Sequence, residues 1–119
     1  MDTAFCRRIA GLVAGQSYTA ALSALDSLIA VTPDDPLPNF IRATVLYSRA
    51  VDFEDELDDE ALTAACDRTE QLCNWFVEKG DHSAEFRFYL GSVWVYRSLI
   101  PARDGNRLKA IRYLSLIHI

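Results

Sequence analysis

The sequence predicts an all-α protein, and three observations support that fold class. Across the segment 18–28, apolar residues recur every three or four positions, which places them on one face of a helix. Proline or glycine stands between such segments, as at Pro33 and Gly80, where one helix ends. The 119 residues are 50% hydrophobic and 24% charged, an ordinary globular composition that can bury one core without disulfides.

The first two helices are expected over 3–15 and 17–31. Asp2 or Thr3 can cap the first helix, because both side chains accept hydrogen bonds from the free amides of a first turn. Pro33 closes the second helix, where no amide donor is needed. The apolar stripes are Phe5, Ile9 and Leu12 in the first helix, and Tyr18, Ala21, Leu22, Leu25 and Leu28 in the second.

The third helix is expected over 37–51, after the proline-rich turn 32–38. Pro38 suits the first turn of this helix, where its missing amide is not needed. Arg42 and Arg49 are expected to face solvent. The apolar positions cover a broad arc, which is typical of a helix packed between two neighbours. They are Phe40, Ile41, Ala43, Thr44, Val45, Tyr47 and Ala50.

The fourth helix is expected over 59–79, with Gly80 as the residue that ends it. Acidic residues at its start suit the positive end of the helix dipole. Its apolar stripe follows helical spacing and should face the core. The stripe consists of Leu62, Ala65, Cys66, Thr69, Leu72, Cys73 and Phe76.

The fifth helix, expected over 83–99, is apolar almost all round, so it should be the most buried element. Gly91 inside it costs about 1 kcal/mol relative to alanine, which predicts a compensating close approach by a neighbouring helix. Pro101, Asp104 and Gly105 are expected to break the chain. A sixth helix should then start near Asn106.

The second helix resembles the second helix of a tetratricopeptide (TPR) repeat. Gly15, an aromatic residue, Ala21 and a closing Pro33 follow the family's order, although Tyr18 comes one residue late. The stripes already named for the first and second helices would then form one repeat.

A second resemblance to the TPR pattern lies further along the chain. The segment 88–94 is similar to the first-helix signature, and 107–113 is similar to the start of a second helix. The 18 residues between Gly91 and Ala110 exceed the pattern, so extra helical turns or a longer loop intervene. The resemblance implies a right-handed stack of about three antiparallel helical hairpins, an α-solenoid that binds a protein or peptide on its concave face.

The third hairpin of such a stack lacks its closing proline. We therefore expect an amino-terminal piece of a longer, bacterial-type repeat protein. The ending Leu114-Ser-Leu-Ile-His-Ile119 resembles a translated sequencing adapter. This predicts one domain over 1–113, followed by a non-native tail over 114–119.

Charge is uneven along the chain, with a net −8 over 1–80 and +3 over 81–119. Phosphate binding needs a dense basic face, so we expect no nucleic-acid partner. The basic residues of the second part should form a solvated helix face or neutralise acidic residues of a neighbouring repeat. They are Arg97, Arg103, Arg107, Lys109 and Arg112.

No apolar run approaches about 20 residues, and the start lacks the basic-then-apolar order of a secretory signal. We therefore expect neither a membrane partner nor secretion. The three cysteines show no metal spacing, and their odd count argues against a complete disulfide framework. Together these features predict a reducing, cytoplasmic location.

The acidic run 52–60 invites a calcium interpretation, because carboxylates are hard ligands. The run has no glycine for the sharp turn of a calcium loop. We favour a solvated loop that caps the fourth helix and that could dock a basic partner peptide.

Cys66, Cys73 and His82 invite a zinc interpretation. The two cysteines are two helical turns apart, about 10 Å, which is too far for one tetrahedral ion without other ligands. They also lie in the apolar stripe, so buried structural thiols are favoured. No base is placed beside a cysteine, since His82 falls in a loop and His118 near the end. We expect no cofactor, no metal and no catalytic residue.

Aromatic residues are concentrated in the fourth and fifth helices, and aromatic side chains are common hot spots of binding. At helical spacing most of them should be core. The expected core members are Phe86, Tyr89, Leu90, Val93 and Trp94, and the expected outer-face members are Trp75, Phe88 and Tyr96.

These observations favour a non-catalytic protein-interaction scaffold. The expected partner-binding residues are outward positions on the first helices of the hairpins: Asn39, Arg42, Tyr47 and Arg87. Two alternatives stay open. One is an accessory domain of a larger enzyme, and the other is a structural protein that forms a homodimer through its open carboxy-terminal end.

Overall fold

The computed structural model describes residues 3–53 and 58–103, and within these all regular structure is helical. Five predicted helices are confirmed to within a few residues at each end. The sixth helix, expected from Asn106, lies outside the described residues. The helices are α1 (Thr3–Ala14), α2 (Tyr18–Val31), α3 (Pro36–Asp52), α4 (Asp59–Glu78) and α5 (Ala84–Arg103).

Each helix packs against the next one in the chain, and α3 also packs against α5. The third helix therefore has α2, α4 and α5 as neighbours. Short turns join the first three helices. Only three residues separate α1 from α2, and four separate α2 from α3. This order of contacts places α3 and α4 at the middle of the described structure.

Two groups of buried apolar side chains form the core. The smaller group joins α1 and α2 to α3 through Val45, and the larger joins α3, α4 and α5. Fully burying one leucine or valine stabilises the fold by roughly 1.5–3 kcal/mol. The smaller group is Ile9, Tyr18, Ala21, Leu25 and Val45; the larger is Phe40, Ala43, Leu46, Leu62, Ala65, Cys66, Cys73, Tyr89 and Val93.

Aspartates cap the two central helices at their amino ends. The Asp35 carboxylate accepts from the Leu37 amide at 3.0 Å, and the Asp58 carboxylate accepts from the Ala61 amide at 2.9 Å. Such caps satisfy amides that have no partner inside the helix. The expectation that the acidic run caps the fourth helix is confirmed by Asp58.

The helices α1 and α4 end with the same pair of backbone hydrogen bonds. At the end of α4, Gly80 has φ +99°, and the Asp81 amide donates to the Phe76 carbonyl at 3.0 Å. At the end of α1, the left-handed residue is Gln16, with φ +59°, rather than the preceding Gly15. The predicted role of Gly80 is confirmed, whereas α1 reaches the same geometry without glycine.

Three expectations for the last helix are wrong. The chain does not break at Pro101, because α5 continues through it to Arg103. Inside a helix a proline removes one amide donor, and its ring crowds the carbonyl four residues back; only two residues of α5 follow Pro101. An ideal Cβ on Gly91 would meet no described atom within 4 Å, so no neighbouring helix approaches there. Finally, α5 is not the most buried element; α3 is.

Candidate functional site

Three shallow depressions follow one another along the outer face of α4. Glu60, Ala64, Arg68, Gln71 and Trp75 recur at intervals of three and four, which puts them on one side of the helix. Depressions lined by α4 adjoin one another at Ala64 and at Arg68. From Glu60 to Trp75 the groove is about 23 Å long, at 1.5 Å per helical residue. We call this surface, from Asp59 to Phe76 with its rim on α2 and α3, the α4 groove.

The middle of the α4 groove lies between α2, α3 and α4 and has a volume of about 340 Å³. Ala30 and Ala64 line it, and these small side chains leave room for an approaching segment. The Arg42 Nε donates to the Asp26 carboxylate at 3.0 Å across the rim. Because this pair joins α3 to α2, it fixes the position of one wall.

One end of the α4 groove is aromatic, with a volume of about 290 Å³. Trp75 is 53% exposed there, and the Lys79 ammonium lies 5.5 Å from the centre of its indole ring. The Arg68 guanidinium donates to the Gln71 side chain at 2.9 Å and to the Asp34 carboxylate at 3.2 Å. Arg68 is therefore held in place beside an exposed tryptophan.

The other end of the α4 groove is acidic, lined by Asp59, Glu60 and Asp67 together with Thr63 and Ala64. Two of these carboxylates stand in the first turn of α4, where the helix dipole favours negative charge.

Arg97 on α5 pairs with two carboxylates of α4. Its guanidinium donates to Asp67 at 2.7 Å and to Glu70 at 2.9 Å. Partial burial alone would lower the pKa of Arg97, but the hydrogen bonds to Glu70 and Asp67 raise it above its usual value. Arg97 therefore neutralises two acidic residues of α4 that lie outside the acidic run 52–60, and the expected neutralisation of a neighbouring repeat stays a prediction. The side chains of the other four basic residues lie outside the described ones.

The structure brings together two of the four predicted partner-binding residues. Asn39 and Arg42 both line the α4 groove, but Asn39 is buried rather than outward, and its amide donates to the Asp35 carbonyl at 3.0 Å. Tyr47 is half-buried and stacks on Tyr96, with ring centres 4.5 Å apart. Arg87 is exposed on α5, which contributes no residue to this groove.

The expectation that Arg42 and Arg49 face solvent is wrong for both, because each side chain is half-buried. Sequence reasoning missed Arg68 altogether. The signal that would have found it is the spacing of Ala64, Arg68, Gln71 and Trp75, the outer counterpart of the buried stripe on α4.

The aromatic residues follow the expected division with one exception. Trp75 and Phe88 are exposed, at 53% and 64%, so they belong to the outer face as predicted. Tyr96 does not, because it is half-buried and its hydroxyl shares a hydrogen bond of 2.9 Å with Thr44. Of the predicted core members, Val93 is fully buried, Tyr89 is buried with 9% of its surface exposed, and Phe86, Leu90 and Trp94 are only half-buried, so the core prediction holds in part.

Two cysteines are buried in α4, as predicted. Burial raises the pKa of Cys66 to about 12 and that of Cys73 to about 11. His82 is exposed in the turn after α4. Across residues 3–53 and 58–103, no three His, Cys, Asp or Glu side chains cluster closely enough to hold a metal ion.

The middle of the acidic run, 54–57, lies outside the described residues, so the calcium interpretation stays untested there. The flanking carboxylates have partners within the fold. Asp52 accepts a hydrogen bond from the Tyr18 hydroxyl, and Asp58 caps α4. This hydrogen bond from the Tyr18 hydroxyl to the Asp52 carboxylate is the main cause that raises the pKa of Tyr18 to about 12.

No family model, no curated protein and no solved structure matches this chain. Among the described helices, none combines the length and the apolar character needed to cross a membrane.

Proposed function

We propose that the protein is a non-catalytic interaction module that captures a segment of a partner protein in the α4 groove. We further propose that its helices form a TPR-like, right-handed stack of hairpins. The sequential packing of α1 to α5 supports the second proposal, because a stack of hairpins requires each helix to contact the next.

The observation that carries the binding proposal is Trp75. Tryptophan buries a large apolar area when a partner covers it, and it is enriched among the residues that dominate binding energy. Here the indole is 53% exposed at one end of a groove about 23 Å long, rather than alone on a convex surface. A partner that fills the groove would cover it.

The walls of the groove are already ordered. Arg68 is held by Gln71 and Asp34, and Arg42 is held by Asp26. A side chain that is fixed before binding loses little rotamer freedom when a partner arrives, so more of the contact energy appears as affinity.

The protonation of the two buried thiols of α4 supports a non-catalytic module. Cys66 and Cys73 are buried, and their raised pKa values keep both thiols protonated at neutral pH. A protonated, buried thiol is a poor nucleophile.

The proposal can be tested by selecting peptides from a random displayed library against the purified protein, and then measuring the affinity of the best binders for variants. Trp75→Ala should weaken binding about thirtyfold, a loss typical of a tryptophan that anchors an interface. Phe88→Ala is the matched control, because it removes an exposed aromatic ring on α5, outside the groove, and should leave affinity unchanged.

The opposite pattern would refute the proposal. If Phe88→Ala weakens binding and Trp75→Ala does not, the binding surface is the face of α5, which would favour the self-associating alternative.

A further inference from the structure

We propose, on the basis of the binding function just proposed, that the natural occupant of the α4 groove is a basic amphipathic helix. Its cationic end would lie against the acidic end of the groove. Its apolar anchor would lie against Trp75. The argument rests on the charges that line the groove, on the hydrogen-bonding groups it offers, and on the order of these features along α4.

The groove has an excess of negative charge. Five carboxylates and two arginines line it. Three of the five carboxylates are themselves paired, Asp67 with Arg97 and the other two with the arginines of the groove, so the negative charge that remains is that of Asp59 and Glu60. Both arginines are engaged, Arg42 with Asp26 and Arg68 with Asp34, so neither is free to attract an anionic partner. Within the described residues, no arginine or lysine pairs with Asp59 or Glu60. A cationic partner is therefore the complementary one.

The groove offers little to an extended backbone. An extended peptide needs partners for its amides and carbonyls, usually an exposed strand edge, and the described residues contain only helices. Each of the two side-chain amides of the groove uses one of its polar atoms within the fold. Asn39 donates to the Asp35 carbonyl, and Gln71 accepts from Arg68. A helix satisfies its own backbone, so it needs only side-chain contacts from the groove.

The distance between the acidic and aromatic ends of the groove determines how far apart the partner's basic and apolar residues must be. The acidic end centres near Thr63 and the aromatic end near Leu72, about 14 Å away at 1.5 Å per residue. On a helix, residues nine positions apart lie on opposite faces, whereas residues seven or eleven positions apart share a face and are about 10.5 or 16.5 Å apart. The partner should therefore carry lysine or arginine about seven or eleven residues from leucine, phenylalanine or tryptophan, on one face.

The test uses a labelled helical peptide with two lysines about eleven residues from two leucines on the same face. Fluorescence anisotropy measures its affinity at about 50 and 300 mM salt, since higher salt screens the exposed charges. We expect binding that weakens at high salt. A peptide with glutamate in place of the lysines should bind at least about tenfold more weakly.

Two single variants give a matched comparison. Glu60 and Glu85 are both the second residue of their helices, α4 and α5, so Glu60→Gln and Glu85→Gln remove the same charge from the same position. Glu60→Gln should weaken binding of the basic peptide about threefold, a modest loss typical of one exposed charge. Glu85→Gln should leave it unchanged. Adding Asp59→Asn to Glu60→Gln should extend the loss to about fivefold.

The outcomes separate this inference from the proposed function. If library peptides bind in a way that depends on Trp75 but are neutral or acidic, the interaction module stands and the basic helix is wrong. If equal losses follow Glu60→Gln and Glu85→Gln, the attraction is not local to the groove, and the inference is again wrong. If no peptide of either kind binds, both proposals fail.

Discussion

The helices α3 and α5 are both rich in apolar and aromatic residues, yet they are buried to different extents. Eight residues of α3 are buried, and they include polar Asn39. In α5, Phe88 is 64% exposed and most of the helix is half-buried. The difference lies in their neighbours, because α3 packs against α2, α4 and α5, whereas α5 packs against α4 and α3. Apolar content alone therefore does not fix burial; position among the helices does.

The largest expected effect is the loss of stability when one leucine is truncated in each of the two helices. Leu46→Ala in α3 should lower the free energy of unfolding by about 3 kcal/mol, because it leaves a cavity in the larger core group. Leu90→Ala in α5 should cost about half as much, since Leu90 is already half-exposed to solvent. Urea unfolding followed by circular dichroism measures both. Equal losses would mean that α5 is as tightly packed as α3.

A second prediction concerns the thiols of α4, which lie in the core group shared by α3 and α5. An ordinary thiol ionises near pH 9.0, whereas burial raises the pKa of Cys66 to about 12 and that of Cys73 to about 11. Below pH 9 both states keep their protons, so stability is unaffected. As pH rises from 9 towards 11, the unfolded chain loses these protons while the folded protein keeps them, and the free energy of unfolding falls; for Cys66 the fall continues towards pH 12.

Replacing both cysteines with alanine should therefore flatten the decline in stability above pH 9. Leu72→Ala is the control, because Leu72 is buried in the same helix but does not titrate. It should lower stability by a similar amount at every pH. A decline that is unchanged in the double cysteine variant would show that these thiols are accessible to water in the folded protein.

The smallest expected effect comes from enlarging one small side chain in each helix. Gly91→Ala in α5 should raise the free energy of unfolding by about 1 kcal/mol, because its Cβ meets open space and alanine is the better helix former. Ala43→Val in α3 is the opposing case, since Ala43 is fully buried, and it should lower stability by about 1 kcal/mol or more. Thermal unfolding of both variants would reveal the sign of each change.

The pattern on α4 shows what the sequence could predict. Its buried stripe was found residue by residue from Leu62 to Cys73, because helical periodicity is a local property. The capping role of Asp58 and the terminating role of Gly80 are also local, and both were found. The same reasoning found Trp75 and Phe88 as exposed residues but could not tell which of them borders a groove.

The wrong predictions depend on which helices pack against one another. Periodicity gave no sign that a Cβ on Gly91 would meet open space, or that Asn39, beside the α2–α3 turn, would be buried. Gln16 shows a further limit. The left-handed end of α1 is held by two carbonyl hydrogen bonds, which keep a non-glycine residue in a conformation that costs roughly 1–2 kcal/mol. A sequence pattern that expects glycine there cannot find it.

The most direct test of the α4 groove as the binding surface is an NMR titration of isotope-labelled protein with the tightest peptide from the library. The account predicts the largest shifts at the Trp75 indole and at the amides of Ala64 and Arg68, with the amide of Phe88 unchanged. Shifts centred on Phe88 and the rest of α5, with α4 unchanged, would contradict it.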